Sequence, residues 1–101
     1  MAHPAEPRFT LSLAEEDGGR IVRISLVGEV DHSNHDVLAD ALSDASDADA
    51  AEIVVDCRDL DFIDSAGLGA LVDARSVAGA DRLEVRDASP QVERLLNVVG
   101  F

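Results

Sequence analysis

The first regular pattern along the chain is an alternation of apolar and polar residues, which has the period of a β-strand. Two such runs follow Arg8, and the apolar positions on one side are Phe9, Leu11, Leu13, Val22, Ile24 and Leu26. The polar, glycine-containing segment EEDGG separates the two runs. Two alternating runs joined by a turn of this composition predict a β-hairpin.

A helical period follows in the segment SNHDVLADALSDA. The apolar residues that share one helical face are Val37, Leu38, Ala41, Leu42 and Ala45. Ser33 is the expected N-cap of this helix, and Asp36 follows three residues later. The segment therefore predicts an amphipathic helix that packs on the sheet through its apolar face.

The middle of the chain returns to a strand and then to a helix. The run EIVVDC is continuously apolar from Ile53 to Val55, which is typical of a strand buried on both sides. A second helix is expected after Ser65. Its expected apolar side consists of Leu68, Leu71 and Val72, and its water-facing side of Asp73, Arg75 and Ser76. The short alternating run RLEVR then predicts a further strand.

The last segment, SPQVERLLNVVGF, has the clearest helical pattern of the sequence. Ser89 is the expected N-cap, Pro90 suits the first helical position and Gly100 suits a C-terminal stop. The expected buried face consists of Val92, Leu95, Leu96 and Val99. A hairpin followed by α, β, α, β and α elements predicts an α/β domain in which helices pack against a small mixed sheet.

Length, charge and cysteine content narrow the class of protein. The 101 residues have room for one domain, which we place at residues 8–101 after a flexible lead-in at residues 1–7. A formal charge of −13 repels nucleic acid and anionic lipid, and it favours a basic protein partner. Cys57 is the sole cysteine, so an intrachain disulfide is excluded and a place in the core is expected. No apolar run is long enough to span a membrane and no signal-peptide pattern is present, so the cytoplasm is the expected location.

Ser65 lies where a strand pattern changes into a helical one, in the segment DFIDSAGLGALVDA. As a nucleophile it would need a base and a G-x-S-x-G turn, but Ile63 stands where the first glycine is required. As a helix N-cap it would be structural only. As a phosphate acceptor it would lie beside free helix N–H groups, and Gly67 and Gly69 would leave the backbone accessible. The sequence has no nucleotide-binding loop, so in this third role the kinase would be another protein.

The segment GEVDHSNHD raises the question of a metal site. His32 and His35, with the neighbouring Asp31 and Asp36, could ligate zinc. Asp and Ser are also ordinary residues at the start of a helix, and this simpler reading is the one we adopt. We therefore expect neither a metal nor another cofactor.

The first predicted helix carries a row of carboxylates at Asp36, Asp40, Asp44 and Asp47. Like charges one turn apart destabilise a helix by about 0.2–0.5 kcal/mol per pair, so the row is tolerable. It is either a solvated face or a docking stripe for a basic partner.

Three segments together resemble the STAS domain of bacterial anti-sigma factor antagonists. They are GEVD at Gly28–Asp31, FIDSAGLGAL at Phe62–Leu71 and SPQVERLLNVVGF at Ser89–Phe101, and the resemblance extends from about Phe9 to the last residue. It implies a single domain with a sheet of four to five strands. It also implies a binding function and no enzymatic activity: the unphosphorylated protein binds an anti-sigma factor that is a serine kinase, and a sigma factor is released. Phosphorylation of the antagonist by that kinase ends the complex, and a serine phosphatase restores it.

The resemblance also assigns site residues. Ser65 matches the phosphate acceptor, with Ala66 where many members of the family have a second serine. The implied partner-binding residues are Asp31, His32, Ser33, Asp64, Ser65, Ala66, Gly67, Leu68 and Gly69. The resemblance leaves one alternative, a STAS scaffold subunit of a stress-sensing or lipid-transport complex that is not phosphorylated and uses Ser65 only as a cap. In either case we expect no nucleic acid or membrane partner, and a monomer when the protein is free.

Overall fold

The computed structural model describes residues 8–101, so the lead-in predicted at residues 1–7 lies outside the described residues. The strands are β1 (Phe9–Glu16), β2 (Ile21–Val30), β3 (Glu52–Ile63) and β4 (Leu83–Arg86). The helices are α1 (His35–Asp47), α2 (Ser65–Ala78) and α3 (Pro90–Val98), and a short 3-10 turn at Asp17–Gly19 joins β1 to β2. This order confirms the predicted hairpin and the α, β, α, β, α succession that follows it.

Within residues 8–101 the strands form one mixed sheet in the order β1-β2-β3-β4. β1 runs antiparallel to β2, whereas β3 is parallel to both β2 and β4. The predicted α/β class with a small mixed sheet is therefore confirmed. Because β2 and β3 are parallel, the loops that leave their carboxyl ends meet at the same edge of the sheet.

One hydrophobic cluster fills the space between a face of the sheet and the helices. Its largest fully buried side chains are Ile24, Leu26, Leu38, Leu42, Ile53, Leu60, Ile63 and Leu71. On the other face of the sheet Arg23 makes ion pairs of 2.5 Å with Glu16 and 3.5 Å with Asp56. Cys57 is fully buried, as predicted, and burial raises the pKa of its thiol to about 12.

β3 is longer than its apolar run predicted, because it continues to Ile63. Its register relative to β2 shifts twice along this extension. The pairs that flank the shifts are Ser25–Asp56 and Val27–Asp59, then Gly28–Leu60 and Glu29–Phe62. Each shift leaves one extra residue on β3, which makes it a β-bulge. A strand interrupted in this way has no continuous alternation, so its second half gave no strand signal in the sequence.

The beginning of α1 differs from the prediction. Asn34 is the N-cap, not Ser33, because the Ser33 hydroxyl donates to the Asp31 carboxylate at 2.5 Å instead of turning to the helix. Val37 was expected on the buried face but is 48% exposed, whereas Leu38 is fully buried. Leu13 on β1, also expected inside, is 57% exposed.

The two ends of α3 follow the sequence signals closely. Ser89 caps the first turn by accepting a hydrogen bond from the Val92 amide at 3.2 Å, as predicted. At the other end Gly100 adopts a φ of 94°, and the amide of Phe101 donates to the Leu96 carbonyl at 2.9 Å. This is the Schellman arrangement, and it confirms the predicted C-terminal stop.

The last residue of the chain, and not Val99, completes the packing of α3. Val99 was expected on the buried face, but it is 38% exposed. The Phe101 ring packs against the core instead, with the Arg75 guanidinium 4.9 Å from its centroid. Arg75 was expected to face water, yet it stacks on this ring and donates to the Gly100 carbonyl at 2.7 Å. No helix in residues 8–101 has both the length and the apolar character needed to cross a membrane.

Candidate functional site

The predicted site residues come from two loops that meet where β2 and β3 end. The first loop joins β2 to α1 and contains Asp31, His32 and Ser33. The second is the tight turn from β3 into α2 at Asp64 and Ser65. A backbone hydrogen bond of 3.0 Å from the Asp64 amide to the Val30 carbonyl joins the two strand ends. The structure therefore brings together residues that lie more than thirty positions apart in the chain.

Asp64 holds this edge of the sheet together. Its backbone is extended and its Oδ1 accepts hydrogen bonds from the amides of Ala66 at 2.9 Å and Gly67 at 3.1 Å, so it is the N-cap of α2. Its Oδ2 accepts a hydrogen bond of 3.1 Å from the amide of His32 in the other loop. One carboxylate thus caps a helix and fixes the position of the neighbouring loop. We call these three hydrogen bonds the Asp64 clasp.

Ser65 is the first residue of α2 and is exposed to solvent. The idea that it serves only as the helix cap is wrong, because Asp64 makes the capping hydrogen bonds. In the part of the chain that the structure describes, the Ser65 side chain has no hydrogen-bonding role in the fold. Its hydroxyl therefore lies at the surface, at the positive end of a helix.

The electrostatic setting of Ser65 differs from the expected one. The sequence predicted free helix N–H groups that would receive a phosphate, but the Asp64 carboxylate already binds two of them. The Leu68 amide is also taken, by the Asp64 carbonyl at 2.9 Å. A phosphate on Ser65 would therefore stand beside a carboxylate and a helix end that is already partly neutralised. The attraction of the helix dipole for an anion, at most about 2 kcal/mol, is correspondingly reduced.

Asp31 is held in a network of its own. Its Oδ1 accepts hydrogen bonds from the hydroxyl of Ser33 at 2.5 Å and the amide of Ser33 at 2.9 Å. Its Oδ2 forms an ion pair of 2.6 Å with the guanidinium of Arg8, which precedes β1. The hydrogen bonds from Ser33, and to a lesser extent the Arg8 guanidinium, lower the pKa of Asp31 to about 2. The carboxylate is therefore charged at neutral pH.

Two residues that sequence reasoning missed shape the first loop. Asn34 accepts a hydrogen bond from the Asp31 amide at 2.9 Å and donates one to the Glu29 carbonyl at 2.9 Å, so it ties the loop to the end of β2. An asparagine in the short polar loop between a strand and a helix is a turn signal that could have indicated this role. Arg8 had no such signal, because its contact with Asp31 depends on how β1 lies beside β2.

The remaining predicted residues differ in exposure. Gly67 is buried, and a Cβ there would lie 2.6 Å from an Ile63 carbon and 2.7 Å from a Val30 carbon, so only glycine fits without displacement. Leu68 is 8% exposed and belongs to the core. A Cβ at Gly69 would meet nothing within 4 Å. Gly67 and Leu68 therefore support the turn from within, while the accessible surface consists of the two loops, Ser65 and the open backbone at Gly69.

A serine hydrolase and a metal centre would each need particular neighbours at this site. Among residues 8–101, no histidine side chain is hydrogen-bonded to the Ser65 hydroxyl. The His32 contribution to the site is its backbone amide, which donates to Asp64. No group of three or more His, Cys, Asp or Glu side chains in the described part of the chain is arranged to hold a metal ion. The arrangement presents the exposed Ser65 hydroxyl beside the Asp64 carboxylate.

This chain is similar in sequence to a known protein family and to a named relative. A family model described as "Mlab, STAS domain" matches residues 13–101. A relative from Paenibacillus polymyxa named anti-sigma F factor antagonist is 31% identical over 94 residues, which cover 90% of this chain and 79% of the relative.

Solved structures repeat the same fold. An anti-sigma factor antagonist from Mycobacterium paratuberculosis matches with a TM-score of 0.77 at 21% identity, over 91% of this chain and 78% of that one. The anti-sigma factor antagonist SpoIIAA in its unphosphorylated form matches with a TM-score of 0.73 at 24% identity, over 90% and 81%. SpoIIAA of Bacillus in its phosphorylated form matches with a TM-score of 0.72 at 22% identity, over 90% and 84%. At these identities the likeness concerns the fold.

Proposed function

Because the chain belongs to the STAS domain family, we propose that it is an anti-sigma factor antagonist that acts in the cytoplasm as a phosphorylation-controlled binding protein. In this proposal the unphosphorylated protein binds an anti-sigma factor with serine kinase activity, and a sigma factor is released. Phosphorylation of Ser65 ends the complex. A serine phosphatase restores the binding form.

The main support for the proposal is that Asp64 and Ser65 have different roles at the start of α2. Asp64 takes over the capping of α2, so the adjacent hydroxyl is left exposed and unused at the helix start. Removing or modifying that hydroxyl costs the fold little, since buried contacts are not involved. A residue with this freedom, on an edge made rigid by the Asp64 clasp, suits a reversible switch.

The same edge explains why a phosphate would abolish binding. A phosphoserine carries about −1.5 to −2 charges at neutral pH. It would lie beside the Asp64 carboxylate, on a loop joined through the His32 amide to the loop that holds Asp31. A partner that fits the unmodified edge would have to desolvate this added charge without pairing it, at a cost of about 3 kcal/mol or roughly 100-fold in affinity.

The relatives support both parts of the proposal. The Paenibacillus polymyxa protein of similar sequence is named for antagonism of an anti-sigma factor. SpoIIAA, which has the same fold, has been solved in unphosphorylated and phosphorylated forms that both match this chain with TM-scores above 0.7. A fold that accommodates both forms of SpoIIAA is consistent with a switch that leaves the domain folded.

Phosphorylation itself is tested by mass spectrometry of the intact protein. The chain is incubated with Mg-ATP and one candidate kinase at a time. The candidates are the anti-sigma factors of the organism that produces this protein. One kinase is expected to add a single phosphate, about 80 Da, to the parent and none to Ser65→Ala. Ser43→Ala, which changes an exposed serine on α1, is the matched control and should be phosphorylated like the parent.

The outcomes separate the proposal from its alternative. A phosphate that persists in Ser65→Ala would refute Ser65 as the acceptor. Binding of a partner with no phosphorylation by any of the kinases would favour the constitutive STAS scaffold subunit. Esterase turnover by the purified chain that is lost in Ser65→Ala would overturn the binding function altogether.

A further inference from the structure

Phe62 faces outward at the end of β3 because of the second β-bulge. Regular alternation would place Leu60 and Phe62 on the same face of the sheet. The register shift between Gly28–Leu60 and Glu29–Phe62 leaves Asp61 without a partner on β2 and reverses the alternation. As a result Leu60 is 2% exposed and Ile63 is 1% exposed, whereas Phe62 between them is 42% exposed.

The exposed ring is not explained by packing. Ile63 belongs to the hydrophobic cluster, but Phe62 is neither in that cluster nor among the partly buried residues that pack against it. Phe9 and Phe101, the other two phenylalanines, both pack against the core. Phe62 is therefore the exposed aromatic side chain of the described residues, and it precedes the capping residue Asp64 by two positions.

The surroundings of Phe62 indicate the kind of partner that would cover it. Asp59 and Asp61 on the same strand are exposed, and Glu29 is its register partner on β2. Val27, which pairs with Asp59, is 45% exposed and adds an apolar neighbour on the adjacent strand. Two arginines also lie nearby, but Arg58 on the same strand is paired with Asp87, and Arg8, beside Glu29, is paired with Asp31. The carboxylates of Asp59, Asp61 and Glu29 therefore give the surroundings of the apolar centre an acidic excess, which complements an apolar pocket lined by basic residues. Exposed aromatic residues at the centre of such patches are frequent binding anchors.

We propose that Phe62 is the apolar anchor of the interface with the anti-sigma factor, inserted into a pocket with a basic rim next to the region that receives Ser65. This inference rests on the proposed function, because the partner is the one named there. It adds to that function a source of affinity separate from the switch: Phe62 supplies binding energy, and the state of Ser65 permits or prevents its use.

The test measures affinity for the anti-sigma factor by isothermal titration, using the full chain. Phe62→Ala is expected to bind at least tenfold more weakly than the parent, since truncating an anchor typically costs more than the equivalent of a tenfold change. Phe62→Leu, which keeps most of the apolar surface, should bind within about threefold of the parent. Leu13→Ala is the matched control, because Leu13 is also an exposed apolar residue of the sheet but lies near the opposite end of β2, opposite Ile24. It should bind like the parent.

Photocrosslinking distinguishes direct contact from a structural effect. The photoreactive residue p-benzoyl-phenylalanine at position 62 should crosslink to the anti-sigma factor, and the same residue at position 13 should not. Parental affinity of Phe62→Ala would overturn this inference alone, and so would weaker binding without a crosslink at position 62. If no anti-sigma factor binds the parent chain, the proposed function is overturned and this inference with it.

Discussion

The different roles of Asp64 and Ser65 in the fold can be measured by comparing the free energies of unfolding of variants at the two positions. In Asp64→Ala the amides of Ala66 and Gly67 lose their acceptor, and the His32 amide in the other loop loses its own. Loss of an N-cap costs about 1 kcal/mol, and loss of one further backbone hydrogen bond about 0.5–1.5 kcal/mol. We therefore expect Asp64→Ala to lower the free energy of unfolding by about 2 kcal/mol.

Two further variants separate the contributions of the individual hydrogen bonds to the free energy of unfolding. Asp64→Asn keeps an oxygen that can accept from both α2 amides, but it presents an NH2 group where Oδ2 faced the His32 amide. It should lose only the link between the loops, about 0.5–1.5 kcal/mol. Ser65→Ala removes a hydroxyl that makes no hydrogen bond within residues 8–101, and it should change the free energy of unfolding by less than about 0.5 kcal/mol.

Urea denaturation followed by far-ultraviolet circular dichroism is the suitable assay, because the chain contains no tryptophan or tyrosine for fluorescence. The expected order of stability is parent and Ser65→Ala together, then Asp64→Asn, then Asp64→Ala. If Ser65→Ala lowers the free energy of unfolding as much as Asp64→Ala does, the serine has a structural role and is not free to act as a switch. A cost below about 0.5 kcal/mol for Asp64→Ala would refute the clasp.

Further predictions concern the packing and the charge of the domain. Gly67→Ala should lower the free energy of unfolding by about 1–3 kcal/mol, because the added methyl group would overlap core side chains. Gly69→Ala should raise it by up to about 1 kcal/mol, because alanine favours the helix more than glycine does. Urea midpoints in the reverse order would contradict the packing of α2. Deletion of Phe101 should cost about 1–2 kcal/mol, since its ring and its amide complete the end of α3, and an unchanged melting temperature would show that this end is dispensable. Changing Asp40 and Asp44 together to Asn should slow association with the anti-sigma factor and flatten its salt dependence in stopped-flow measurements; equal rates at low salt would identify the row as a solvated face.

Much of the fold could be predicted because its signals are local. Alternation identified the hairpin, and the pattern around Ser89, Pro90 and Gly100 defined both ends of α3. These features depend on residues within a few positions of one another. The order of elements then limited the architecture to a mixed sheet with packed helices.

The features that escaped prediction depend on the three-dimensional arrangement. Whether Ser33 or Asn34 caps α1 is decided by Asp31, which engages the Ser33 hydroxyl. The bulges of β3 appear only in its pairing with β2, so the outward turn of Phe62 has no signature in the alternation. Sequence reasoning assigned Ser65 its place at the start of α2, but it could not tell that Asp64 would bind the helix amides and the neighbouring loop.

The proposed function requires that the state of Ser65 controls binding while the fold remains intact. The direct measurement is isothermal titration of the anti-sigma factor with the unphosphorylated chain, the Ser65-phosphorylated chain and Ser65→Ala, with circular dichroism of each form. We expect equal binding by the unphosphorylated chain and Ser65→Ala, at least about 100-fold weaker binding by the phosphorylated form, and the same folded spectrum for all three. Equal affinities for the phosphorylated and unphosphorylated chains would contradict it.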